Sequence, residues 1–298
     1  MKVLFIINPY SGHLNPEKAV KIVEKITRFI REDIRFSFVT PAFHVISSRN
    51  DLPQIVEKVI SENVQRVIIC GGDGTVNSFL PFIRQYGIET GILPAGSGNG
   101  FAHALNIPDN FKRALEIALT QKTIYVDLLE VNKFIGVNVS GCGLDGLIAH
   151  KFNKLRRRGF FPYIYLTISC LFKFNPFNAK VIIDGRKAFE GSALIIAICN
   201  GNEYGNGFKI SPASPLDDGI FTVVVIPYPS IKNAITSINA IAGKELFRIK
   251  GTHIFEGVSC EIETTYPFWH IDGEPHIFHS PVKVGIIKNA LPFVCNIT

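Results

Sequence analysis

Six of the 298 residues are cysteines, and no two of them stand in a CxxC or Cys/His spacing. This excludes a zinc ribbon, and the apolar company of Cys70, Cys142, Cys170 and Cys199 predicts buried free thiols rather than a disulfide framework. No uninterrupted apolar run approaches the ~18 to 20 residues that cross a bilayer, so the chain reads as soluble or peripheral despite 47% hydrophobic content. The opening Met1–Ile7 imitates a signal peptide, but Asn8 and Pro9 cut it short and no small-residue cleavage pattern follows, which makes it the first core strand of a cytoplasmic protein. The excess of 31 basic over 25 acidic residues is mild, and with no RNA- or DNA-binding motif nucleic acid is not an expected partner. No internal repeat, low-complexity tract or long linker is present.

What is present centres on residues 67–77, VIICGGDGTVN. Val67, Ile68, Ile69 and Cys70 form a short β-branched run of the kind covered on both faces of a sheet. It ends at Gly71 and Gly72, where bare backbone can approach a ligand, and Asp73 stands at the mouth of the turn. Val76, Phe79, Leu80 and Ile83 then follow at helical spacing, so the loop opens a helix whose amino end favours anions. On their own these residues fit an ordinary strand-to-helix turn equally well. A second loop alters that balance: after Gly91–Leu93 come Pro94, Ala95, Gly96, Ser97, Gly98, Asn99 and Gly100, then another helical pattern from Phe101. Two glycine-rich loops, one with a carboxylate and one with a hydroxyl and an amide, suit a nucleoside triphosphate better than chance turns.

Together GGDGTVN and PAGSGNGFA resemble the diacylglycerol kinase catalytic family, which includes bacterial lipid kinases and the related sphingosine and ceramide kinases. NAD kinases and phosphofructokinases share the first motif more distantly. The resemblance implies an ATP-dependent, magnesium-using lipid kinase, with nucleotide contacts from Asn8, Ser11, Thr40, Gly71, Gly72, Asp73, Gly74, Thr75, Asn77, Gly96, Ser97 and Asn99. Ser97 replaces the family's usual threonine and keeps its hydroxyl. Asp73 would repel phosphate directly, so its expected task is to organise magnesium, the bland alternative being a turn or cap.

The first 120 residues or so alternate strand and helix, predicting a parallel sheet with flanking helices and a ligand at the strands' carboxyl ends. Asn15 and Pro16 start a helix with a stripe of Ala19, Val20, Val23, Ile26 and Ile30; Phe36, Phe38 and Thr40 read as a strand ending in a hydroxyl. From about Thr123 the pattern turns to strands, at 124–129, 134–139, 180–183, 193–200, 219–226 and 250–263, with helical patterns mainly at 146–157, 162–173 and 230–243. This predicts an α/β nucleotide-binding domain over 1–123 and a mainly antiparallel β-sandwich over 124–283 for the lipid. The resemblance further implies that 284–298 return to the first domain.

Ile271, Asp272, Gly273, Glu274 and Pro275 match the family's Asp-Gly-Glu motif, which assigns Glu274 as the base that deprotonates the lipid hydroxyl and Asp272 as an organiser. An exposed hairpin turn has the same composition. Asp218, with the carbonyls of Pro215 and Ile220, falls where bacterial members bind a second magnesium; a turn before a strand is the plain alternative, and Asp217 leaves the choice of carboxylate open. Asp145, in Cys142–Gly146, resembles the bacterial Gly-Phe-Asp-Ala pattern. The aspartate that reads a sphingoid headgroup falls at Leu147 when the chains are aligned through Arg156, Arg157 and Gly159. Asn200–Gly205, including Tyr204, form another polar strand end.

Lys151, Lys154, Arg156, Arg157 and Arg158 precede Phe160, Phe161, Tyr163 and Tyr165. This is either a solvated helix end beside core aromatics or a surface that meets anionic lipid, where each cation contributes ~1 kcal/mol. The expectation is thus a kinase for a diacylglycerol-like lipid at the inner membrane face, with room for a homodimer. The alternatives are a sphingoid-base or ceramide kinase, favoured by PAGSGNG and disfavoured by Leu147, and a non-catalytic nucleotide- or lipid-binding regulator, disfavoured by the retention of Asp73 and Glu274.

Overall fold

A computed structural model describes residues 1–296 except 13, 49, 156–159, 172 and 229–238. Arg156, Arg157, Arg158, Gly159, the side chains of Phe160 and Phe161, and most of the helix expected at 230–243 lie outside the described residues. The chain divides into two compact units, Met1–Tyr125 with Ala290–Thr298, and Val126–Asn289.

In the first unit the chain runs β1 (Lys2–Ile7), α1 (Pro16–Glu32), β2 (Thr40–Val45), α2 (Leu52–Ser61), β3 (Arg66–Gly71), α3 (Asp73–Tyr86), β4 (Glu89–Pro94), α4 (Gly100–Ala104) and α5 (Phe111–Thr120). The sheet order is β2-β1-β3-β4, with every pair parallel. β3 is buried along its whole length, as its unbroken apolar run requires. Asn15 caps α1 by accepting the Lys18 N–H at 2.8 Å, and Pro16 takes a first-turn position whose N–H has no helical partner anyway. Ala19, Ile26 and Ile30 are buried on α1, while Val20, expected in that stripe, is exposed.

Thr40 requires a correction. The alternation Phe36, Phe38, Thr40 imitates a strand, but the Asp33 carboxylate accepts the Arg35 N–H and starts a 3-10 turn over Ile34–Phe36, which buries Phe36 against Phe29. The strand begins at Thr40, opposite Lys2 at the amino end of β1. Thr40 therefore lies at the far end of the sheet from the glycine loops. The hydroxyls at the carboxyl end of β2 belong to Ser47 and Ser48, both bonded to the buried carboxylate of Asp51.

The second unit contains β5 (Thr123–Val131, from Val126), β6 (Phe134–Gly136), β7 (Val139–Gly143), α6 (Leu144–Asn153), α7 (Phe160–Leu171), β8 (Phe177–Ile183), β9 (Arg186–Ala193), β10 (Ile195–Cys199), β11 (Phe221–Ile226), β12 (His253–Gly257), β13 (Ser259–Thr264), β14 (Phe268–Ile271), β15 (Glu274–Ile277) and most of β16 (Val282–Val294). One antiparallel sheet has the order β12-β11-β10-β7-β14-β15; a second layer runs β16-β13-β8-β9. Both contribute to one core, with Trp269, Ile196 and Val223 from the first layer and Val181, Ile262 and Val284 from the second. This is the expected β-sandwich. The last residues of β16 belong to the first unit, where Phe293 pairs with Thr90 of β4 and packs edge-on against Phe101.

Candidate functional site

Three loops meet at the carboxyl ends of β1, β3 and β4. Asn8 donates its N–H to the Cys70 carbonyl at 3.0 Å and its side-chain amide to Thr75 Oγ1 at 2.9 Å; Ser11 Oγ lies 3.0 Å from the same Thr75 oxygen. Asn8, Ser11 and Thr75 are thus brought together, and the Thr75 hydroxyl, expected to face phosphate, is buried in this junction. Gly72 and Gly96 press backbone to backbone: a Cβ on Gly96 would stand 2.6 Å from the Gly72 Cα and 2.8 Å from Asn99 Oδ1. Only glycine allows that approach.

Asp73 joins the two glycine loops. Its carboxylate accepts the N–H groups of Gly100 and Phe101, each at 3.1 Å. Burial pushes its pKa up, and the Phe101 and Gly100 amides only partly offset that. Asn99, in the left-handed conformation at φ 55°, accepts the Gly96 N–H at 2.8 Å and donates to Asp109 at 3.0 Å, so its side chain braces the loop. Ser97 and Gly74 are exposed, and the Oδ1 of Asn77 is buried without a partner. The first amides of α3, at Asp73 and Gly74, have no carbonyl above them within the helix and lie at its positive end.

In the second unit Asp272 and Gly273, at φ 47° and 81°, form the two-residue turn between β14 and β15, the left-handed pair that an Asp-Gly hairpin favours. The Asp272 carboxylate accepts three backbone N–H groups, from Val137 at 2.8 Å, Asn138 at 2.9 Å and Val139 at 3.1 Å. Glu274 is the first residue of β15 and is exposed. Beneath the turn lies a buried polar group. Tyr204 donates its hydroxyl to Asp145 Oδ2 at 2.7 Å, and His270 Nε2 is 3.1 Å from the same oxygen. Desolvation, with the Asp145 charge beside it, pushes the Tyr204 hydroxyl well above its usual pKa, so it stays a donor.

Asp218 is exposed, with Oδ1 accepting the Ile220 N–H at 3.0 Å; Pro215 is exposed and Ile220 half-buried. The turn rests on Asp127, a fully buried residue that the sequence reading passed over. Its carboxylate accepts the Gly219 N–H at 2.6 Å and the Asn289 N–H at 2.7 Å, while its own N–H donates to Leu216 at 2.7 Å. An acid inside the apolar stretch 124–129 was the available signal. Nothing local marked His270, whose partner Asp145 is 125 residues away. Among the described residues no three His, Cys, Asp or Glu side chains gather to hold a metal.

Residues 2–131 match the diacylglycerol kinase catalytic domain, and 138–295 match the YegS C-terminal NAD kinase beta sandwich-like domain. The "Probable lipid kinase YegS-like" of Shewanella frigidimarina (strain NCIMB 400) is 28% identical over 82% of this chain and 81% of its own. The "Probable lipid kinase YegS" of Shigella flexneri is 27% identical over 88% of this chain and 90% of its own. Among solved structures, a diacylglycerol kinase from Bacillus anthracis str. Sterne shares the fold with a TM-score of 0.72 at 22% identity, covering 99% of this chain and 97% of that one. An NAD kinase from Archaeoglobus fulgidus in complex with ATP is a more distant likeness, with a TM-score of 0.52 at 12% identity, over 99% of this chain and 94% of that one.

Proposed function

This chain belongs to the diacylglycerol kinase catalytic family, and on that premise we propose that it transfers the γ-phosphate of ATP to a hydroxyl of a diacylglycerol-like membrane lipid. The observation that carries the assignment of the base is Glu274: an exposed carboxylate directly after a turn whose other members are tied down. Pro275 restricts the Glu274 backbone to extended conformations as well. A general base must be held in place yet have its oxygens free for the incoming proton.

In this reading the first unit holds the donor. The amino end of α3, with the amides of Gly72, Asp73 and Gly74 and the Ser97 hydroxyl, receives the phosphates, while Asn8, Ser11, Thr75 and Asn99 keep the loops in shape. Glu274 takes the proton of the lipid hydroxyl as that oxygen bonds to the γ-phosphorus; the bond to the bridging oxygen breaks and ADP leaves.

The donor set suits magnesium, a hard cation that accepts few carboxylates and keeps its waters. Asp218 keeps one oxygen clear of its turn bond, and the bonded oxygens of Asp73 retain lone pairs. Asp218 with the carbonyls of Pro215 and Ile220, and Asp73 directly or through water, are the residues that would hold it. When bound, the ion offsets phosphate charge.

No helix among the described residues is long and apolar enough to cross a membrane. Contact with lipid is then peripheral, supported by exposed Lys151 and Lys154 and by exposed Tyr165 and Ile168 on α7. Leu147, the position where the resemblance implies the sphingoid-reading aspartate, is apolar and packs on the core of the second unit, which favours an acceptor without an amine.

The test is transfer of labelled γ-phosphate from ATP with magnesium into mixed micelles of diacylglycerol, monoacylglycerol, phosphatidylglycerol, sphingosine or ceramide, with Glu274→Gln alongside. Labelled diacylglycerol that disappears with the variant supports the proposal. Labelling of sphingosine or ceramide alone would replace the lipid assignment, and full turnover by Glu274→Gln would remove the base.

A further inference from the structure

Gly273 has little support from packing: a Cβ added there would meet nothing within 4 Å. The hydrogen bond described for its N–H runs to His270 Nδ1 at 3.2 Å. A backbone N–H can only donate, so Nδ1 accepts and carries no proton. In the neutral ring the proton is then on Nε2, which donates it to Asp145. Histidine tautomers are set in this way by the bond the other nitrogen makes.

The pocket that holds Asp145 is built for a carboxylate. Its oxygens accept Tyr204, His270 and the Gly146 N–H at 2.7 Å. Glycines make the room: a Cβ on Gly141 would sit 3.0 Å from Asp145 Oδ2, and one on Gly146 would sit 2.3 Å from the Phe268 carbonyl oxygen. His270 is 3% exposed and Asp145 8%. Burying a carboxylate carries a desolvation cost that its partners need not recover, so such a group is weak support for a purely stabilising role. It does define where a ring points.

We propose that His270, with its tautomer fixed by Asp145 and Tyr204, is a positioning residue for Glu274: it holds the Gly273 amide and thereby sets the direction in which the next residue presents its carboxylate. The inference rests on the reading of Glu274 as the base. Asp145 fixes the ring, the ring fixes the amide, and the amide fixes the turn. A misplacement of about 1 Å at a reacting group can cost on the order of 10²-fold in rate, so loss of this tie lowers kcat without touching substrate affinity.

The two ring nitrogens can be replaced separately. His270→Asn keeps an acceptor near the Nδ1 position, and His270→Gln keeps a donor near the Nε2 position. If positioning is the role, kcat falls in the order wild type, His270→Asn, His270→Gln, with the last down about tenfold or more and both KM values within about twofold. The thermal midpoints run the other way or stay level, because His270→Gln preserves the buried bond to Asp145. A kcat that follows the thermal midpoint across the two variants, or a His270→Gln enzyme with wild-type kcat, overturns the inference. Glu274→Gln is measured in parallel. Its inactivity beside a fully active His270→Gln removes only the positioning role, whereas its full activity removes the base on which that role depends.

Discussion

Replacing Asp127 by asparagine changes one atom and should nevertheless destabilise the structure around the 217–219 turn. The carboxylate is fully buried and faces two groups that can only donate, the Gly219 N–H at 2.6 Å and the Asn289 N–H at 2.7 Å. Asparagine offers one acceptor oxygen, so its NH₂ must confront the other N–H. A charge-assisted bond worth about 1.5–3 kcal/mol disappears, and a buried donor left unpaired costs about 1–3 kcal/mol more, roughly 3–6 kcal/mol together. At about 2–4 °C per kcal/mol for a unit of this size, the thermal midpoint falls by about 6–24 °C. The protein carries its own probe, since the single tryptophan, Trp269, is fully buried in the same unit. Urea unfolding followed by Trp269 fluorescence therefore reads the affected structure. A loss below about 0.5 kcal/mol, within the range of an ordinary surface substitution, would refute the account of Asp127 as the support of that turn.

Gly96→Ala forces a Cβ to within 2.6 Å of the Gly72 Cα; overpacking of this kind costs about 1–3 kcal/mol, and because it spreads the two loops, calorimetric titration with ATP should show weakened binding, whereas unchanged affinity would detach the loops from the nucleotide. Asp51 is held well below the usual carboxylate range, first by the Ser47 backbone N–H and then by the Ser48 hydroxyl. A carboxylate with a lowered folded-state pKa contributes stability above its unfolded value, near ~3.9, and loses it as the pH falls further. Asp51→Asn should be less stable at neutral pH and show a flatter acid limb below about pH 4; parallel acid limbs in the two proteins would count against the group.

The parallel sheet and its loops were legible because the signals are local: an apolar run such as Val67–Cys70 ending in glycine can be read within ten or so residues. Thr40 was misplaced for a local reason too, since alternating aromatics at Phe36 and Phe38 outweighed the capping carboxylate of Asp33. The Asp-Gly turn before Glu274 could be located but not understood. What ties it down is Asp272 reaching back to 137–139 and His270 reaching Asp145, and contacts across more than a hundred residues leave no periodic trace. The engagement of Thr75 by Asn8 and Ser11, and of Asn99 by Gly96 and Asp109, was hidden for a related reason: a hydroxyl or amide in a motif looks the same whether it faces a ligand or a neighbour.

β16 begins in the second unit and ends in the first, where Phe293 closes the sheet beside β4. That has a consequence for the order of events during synthesis. The ribosome delivers β1 to β4 first and the end of β16 only after all 164 residues of the second unit, Val126–Asn289, have emerged. Folding one domain at a time from the amino terminus, the usual course for a nascent chain, leaves the first unit without its segment of β16 until the second unit has been synthesised. β16 therefore ties completion of the first unit's sheet to the prior synthesis of the second unit, a dependence that sequence order alone imposes.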